Sequence, residues 1–165
     1  MFWRPAVGDR RSRRLSERLL SSAALVEEPQ RSRIVAKLDG TVFISHTSRD
    51  NAIVGSSPTD GLIYSLVSEY FEGPFKHSIT SGAADEYEKI VGLALTSARR
   101  VLVVWTANAV LSDYVRAEVL LAVAQNKMLA VYRTESAPKF PAAAAEIAES
   151  KEALRSILIR WRNAP

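Results

Sequence analysis

Thr41-Val42-Phe43-Ile44-Ser45 is followed at once by His46-Thr47-Ser48-Arg49-Asp50. The first five residues are β-branched, aromatic and uncharged. Such a short continuous apolar run reads as a strand buried on both faces. The next five are polar and form a loop that leaves the sheet. The same pattern returns at Val101-Leu102-Val103-Val104-Trp105, the strongest strand in the chain, which runs into Thr106-Ala107-Asn108. Met128–Tyr132 reads as a further strand, and Phe75–Thr80 as a weaker one.

Helical patterns separate these strands. Leu62, Ile63, Leu66, Val67, Tyr70 and Phe71 share one helical face, with Thr59 or Asp60 placed to cap it and Gly73-Pro74 to end it. Tyr87, Ile90, Val91, Ala94 and Leu95 mark a second helix, and Ser112 to Gln125 a third. Ile147, Leu154, Ile157, Leu158 and Trp161 read as a last helix or pair of helices. Strands alternating with helices, with the strands apolar throughout, predict βαβ units. The expected class is α/β: a flavodoxin-like three-layer fold, with a parallel sheet of four to five strands and helices on both faces.

The 165 residues suit about one domain. The chain has no cysteine, which excludes disulfides, thiolate metal sites and cysteine nucleophiles. Two histidines, His46 and His77, are too few for a multi-histidine metal site, so no metal is expected. No apolar run approaches the roughly 20 residues of a membrane span. Arg13-Arg14 and the stretch Leu19–Val26 are too short and polar for a secretory signal, and the acids before Pro29 argue against a transit peptide. A cytoplasmic protein is the expectation.

The net charge is +4, and all of it lies in the first 40 residues, which carry 9 basic and 5 acidic side chains. The remainder carries 13 of each. The chain therefore divides into a basic extension, residues 1–38, expected to be a solvated tail that is partly helical or disordered, and a body, residues 39–165. The neutral body has no field to attract nucleic acid, so only the arm could bind a phosphate backbone.

In an open α/β sheet, ligands sit beyond the carboxyl ends of the strands. His46–Asp50 and Thr106–Tyr114 should emerge there. On the third helix, Leu111, Val115, Val119, Ala122 and Val123 form an apolar stripe, and at about 100° per residue Glu118 falls at its margin. A carboxylate turned toward the sheet is costly without a partner. It either pairs with a cation such as Arg49 or Arg116, reaches water at the rim, or serves to stabilise a developing positive charge. His46 belongs to no Ser-His-Asp arrangement, and Gly55 and Gly61 lack the spacing of a dinucleotide fingerprint.

Val42-Phe43-Ile44-Ser45-His46-Thr47-Ser48-Arg49-Asp50 resembles the first signature of Toll/interleukin-1 receptor (TIR) domains, roughly F-I-S-H/Y-x-S-x-D. Ser112-Asp113-Tyr114-Val115-Arg116-Ala117-Glu118 resembles their later motif, roughly S-x-W-x-x-x-E, and Val101–Asn108 the "VVLSPN" stretch between them. The resemblance covers about residues 40–135. It implies that Glu118 is the catalytic residue of NAD⁺ cleavage at the nicotinamide–ribose bond. It also implies that Tyr114, at the family's tryptophan position, and Ser112, which opens the same motif, bind the substrate together with Ser45, His46 and Arg49, which line the nucleotide site.

The implied function is an NAD⁺ glycohydrolase of bacterial immunity or effector signalling, with NAD⁺ as substrate, no further cofactor, and self-association or other TIR domains as partners. The alternative is a non-enzymatic adaptor acting by homotypic TIR association. A receiver-type domain of the same topology would need clustered acids after the first strand, where Ser45-His46 stand instead.

Overall fold

The computed structural model describes residues 10–77, 84–142 and 145–165. Four strands form one all-parallel sheet in chain order: β1 (Val42–Ser45), β2 (Arg100–Trp105), β3 (Met128–Arg133) and β4 (Glu146–Ala148). Eight α-helices accompany it among the described residues: α1 (Arg10–Ala23), α2 (Gln30–Asp39), α3 (Asn51–Val54), α4 (Ile63–Ser68), α5 (Ala84–Ser97), α6 (Ala107–Val110), α7 (Asp113–Ala124) and α8 (Lys151–Asn163). The architecture is the three-layer, flavodoxin-like α/β fold.

Strand alternation divides the core in two. Phe43, Val101, Val103, Trp105, Leu129 and Val131 face one layer, with Leu15, Leu19, Leu38, Val91, Leu95, Val115 and Val119 of α1, α2, α5 and α7. Val42, Ile44, Leu102, Val104 and Ala130 face the other, with Val54, Ile63, Leu66, Val67, Leu154, Leu158 and Trp161 of α3, α4 and α8. Side chains change face at every residue of a strand, so continuous apolar strands fill both layers. The same parity turns Ser45, two residues after Phe43, toward α7.

Four expectations need correction. From Arg10 on, the basic arm is not a solvated tail. Within it, α1 buries Ser12, Leu15, Leu19 and Ala23, spaced along one helical face, against α5 and α7. The boundary at residue 38/39 therefore cuts through one hydrophobic core. The arginines hid this, because they occupy the other faces of a helix whose buried face is half Ser and Ala.

The weak strand at Phe75–Thr80 is reduced, within the described residues, to a single parallel bridge. Ile44 N–H donates to Phe75 O at 2.8 Å, and Phe75 N–H donates to Val42 O at 2.9 Å. Residues 78–80 of that expectation lie outside the described residues. Ile147 belongs not to a helix but to edge strand β4, whose register pairs it with Val131. The helix expected from Thr59 or Asp60 starts later, at Ile63. Asp60 instead accepts from the backbone N–H of Ser56, Ser57 and Leu62, closing a turn.

Candidate functional site

β1 ends at Ser45, and α7 begins at Asp113, capped by the Ser112 hydroxyl, which accepts from Val115 N–H at 3.3 Å. This cap fixes the helix start beside the carboxyl end of the sheet. Glu118 then lies in the second turn, against β1. Its residue is 2% exposed.

Among the described residues no ion pair satisfies it. One carboxylate oxygen accepts from the Ser45 hydroxyl, and the other from the Tyr87 hydroxyl at 3.2 Å. The expected cations are elsewhere: Arg116 pairs with Asp113 at 2.5 Å, and Arg49 is exposed. Burial therefore dominates, and it pushes the Glu118 carboxyl up to about 7, although both hydroxyl bonds favour the charged form. A carboxyl poised near neutrality can hold negative charge or exchange a proton at physiological pH. Burial, followed by the adjacent carboxylate, pushes the Tyr87 phenol well above its ordinary range, so it stays a neutral donor.

Above this pair, His46, Thr47, Ser48, His77, Tyr87, Ser112 and Tyr114 line a cavity of about 70 Å³. At roughly 30 Å³ per water, that is room for about two waters. Burial lowers the His46 pKa, which favours the neutral ring. Its Nδ1 donates to the Thr47 carbonyl oxygen at 3.1 Å, which leaves Nε2 as an acceptor; that atom is buried with no hydrogen-bond partner among the described residues. An aromatic series leads from the core to the cavity: Phe43 and Phe75 at 5.5 Å, Phe75 and His77 at 6.2 Å, His77 and Tyr87 at 5.4 Å, then Tyr87 edge-on to Tyr114 at 4.9 Å.

The structure thus brings Ser45 and Glu118 into contact and sets His46, Ser112 and Tyr114 around the adjoining cavity. Arg49 lies apart. It lines a shallow 220 Å³ groove with Thr47, Asn108, Leu111 and Ser112.

Sequence reasoning missed Tyr87 and His77 as site residues. From the sequence, Tyr87 reads only as part of the apolar stripe of its helix. The signal was its polar tip, because a buried tyrosine hydroxyl needs a partner.

The loop after β1 is held by Asp50, which is 2% exposed. It accepts from Thr106 Oγ1 at 2.5 Å and Asn108 Nδ2 at 2.9 Å, tying the loop after β1 to the loop after β2. Among the described residues no cluster of acids and histidines suits a metal ion, and no helix is long and apolar enough to cross a membrane. Comparison with protein-family models, curated proteins and solved structures returns no match to this chain.

Proposed function

We propose that this is a TIR-like NAD⁺ glycohydrolase in which Glu118 is the catalytic carboxylate. The observation that carries the reading is a buried carboxyl at the carboxyl end of a parallel sheet, held by two hydroxyls rather than a cation and poised near pH 7.

The chemistry asks for little more. The glycosidic C–N bond breaks with its electron pair leaving on the nicotinamide nitrogen, which becomes neutral. The ribosyl carbon becomes cationic, water adds to it, and one proton is released. The Glu118 carboxylate opposes the cation and accepts that proton. Ser45 and Tyr87 fix the carboxylate by donating to it, and the free Nε2 of His46 accepts from a substrate hydroxyl or amide. Tyr114 and Ser112 form the wall against which the substrate lies. NAD⁺ is abundant in the cytoplasm, and the reading places the protein there, with immunity or effector signalling as its setting.

The 70 Å³ cavity favours keeping a second reading, a non-enzymatic module that works by self-association. Drug-sized ligand pockets are roughly 300–1,000 Å³, so catalysis requires the cavity to open toward the groove beyond Tyr114. Association of copies is a natural trigger, and specific activity is expected to rise with protein concentration. Purified protein at high micromolar concentration, incubated with NAD⁺ and analysed by chromatography, should release nicotinamide and ADP-ribose in equal amounts. Unchanged NAD⁺ at every concentration, with concentration-dependent oligomers, would support the association module instead.

A further inference from the structure

We propose that the groove between α1 and the start of α7 is an anion site that takes the diphosphate of a nucleotide. For the identity of the natural ligand, NAD⁺, this rests on the function proposed above. The anion chemistry rests on the groove's own residues.

The groove has a volume of about 360 Å³ and is lined by Arg11, Arg14, Leu15, Arg18, Asp113 and Tyr114. Tyr114 also lines the cavity beside Glu118, so the two spaces share a wall. A molecule with a glycosidic bond at one end and a diphosphate further along would span both.

The charge balance of the groove is positive once its internal pairs are counted. Arg18 is committed to Glu88, at 2.5 Å, and Glu88 also accepts from the Tyr114 hydroxyl at 3.1 Å. Asp113 is paired with Arg116. Glu88 and Asp113, the acids beside the groove among the described residues, are thereby neutralised. Arg11 and Arg14 make no ion pair among the described residues and remain exposed. They stand one turn apart beside the buried row of Ser12, Leu15 and Leu19, so the docking of α1 fixes the side from which both side chains leave the helix.

Their position is otherwise unfavourable. Arg10, Arg11, Arg13 and Arg14 crowd the start of α1, with no acid in its first turn. Cations repel one another there and also oppose the helix dipole. An anion between Arg11 and Arg14 offsets both effects. Arginine suits the role, because its planar fork binds phosphate oxygens in pairs.

The test is calorimetric titration of the full chain with ADP, and with adenosine as the phosphate-free control. ADP should bind, with an affinity that falls as salt rises, and adenosine should bind far more weakly. The double variant Arg11→Ala/Arg14→Ala should weaken ADP binding at least tenfold. The equal-charge variant Arg10→Ala/Arg13→Ala should change it less than threefold. Arg11→Gln/Arg14→Gln, which keeps polarity on the helix surface, should match the alanine pair, and far-ultraviolet spectra confirm folding.

No ADP binding by the parent, or equal losses in the two double variants, would overturn the site; equal losses would indicate a diffuse polyanion surface. Nicotinamide release is scored separately. ADP binding lost with Arg11 and Arg14 but no NAD⁺ cleavage keeps this site and defeats the hydrolase reading. NAD⁺ cleavage with ADP binding unchanged in the Arg11→Ala/Arg14→Ala variant defeats this site alone.

Discussion

Gly92→Ala tests whether α1 belongs to the folded core. Gly92 lies mid-helix in α5, where an exposed Gly→Ala change stabilises by about 1 kcal/mol through backbone entropy. Here a Cβ would stand 2.0 Å from the Leu19 carbonyl oxygen, 2.9 Å from its carbon and 3.3 Å from its Cα. All three are backbone atoms and cannot rotate away, so α1 must move off α5. Overpacking of this kind costs about 1–3 kcal/mol. Displacing Leu19, which is 0% exposed, forfeits part of the roughly 2–5 kcal/mol that a buried leucine contributes. A net loss of about 2–3 kcal/mol corresponds to a Tm lowered by about 4–12 °C at this chain length. Thermal unfolding followed by circular dichroism reads it. The sign decides: a Tm that stays level or rises by a few degrees, as helix propensity alone demands, would mean that α1 is not docked on α5.

Glu118→Gln should stabilise the protein at high pH. The folded-state pKa of about 7 lies above the unfolded value of 4.5, so the folded state holds a proton that the unfolded state releases. Stability therefore falls as pH rises from about 4.5 to 7, by about 3 kcal/mol in all. The Gln variant should lose that part of the pH profile in urea unfolding measured from pH 4.5 to 8. Ser45→Ala removes a bond that lowers the Glu118 pKa, so the rising limb of NAD⁺ cleavage against pH should move up from about 7; a limb left in place would separate Glu118 from the rate. Asp50→Ala leaves Thr106 and Asn108 without their shared acceptor, and should cost about 2–4 kcal/mol in urea unfolding.

Much of this architecture was legible because β1, β2 and β3 are apolar on both faces, and only a sheet covered on both sides needs that. β4 was not. It has three residues at the sheet edge, of which Ala148 alone is buried, and Ile147 is 44% exposed. No period can be read from so short a segment.

The helix register placed Glu118 at the sheet side of α7, but periodicity does not reveal partners. The hydroxyls of Ser45 and Tyr87 are 73 and 31 residues away along the chain. Only the fold brings them together. Arg49 follows β1 in sequence, yet the 3₁₀ turn Ser48–Asp50 buries Asp50 and leaves Arg49 outward. The role of α1 was obscured for a different reason: charge was weighed over its entire length, while Leu15 and Leu19 are buried on one face.

The central claim, that Glu118 carries out glycosidic cleavage, is tested most directly by nicotinamide release from NAD⁺ by the parent protein and Glu118→Gln side by side. Both proteins should be assayed at the same high concentration near pH 7.5, with folding confirmed for each. Losing a preorganised electrostatic partner costs about 2.7–4 kcal/mol, so the Gln variant should be at least about 10²-fold slower while remaining as stable or more so. A folded Gln variant that releases nicotinamide at the parent's rate, or a parent that releases none, would contradict the account.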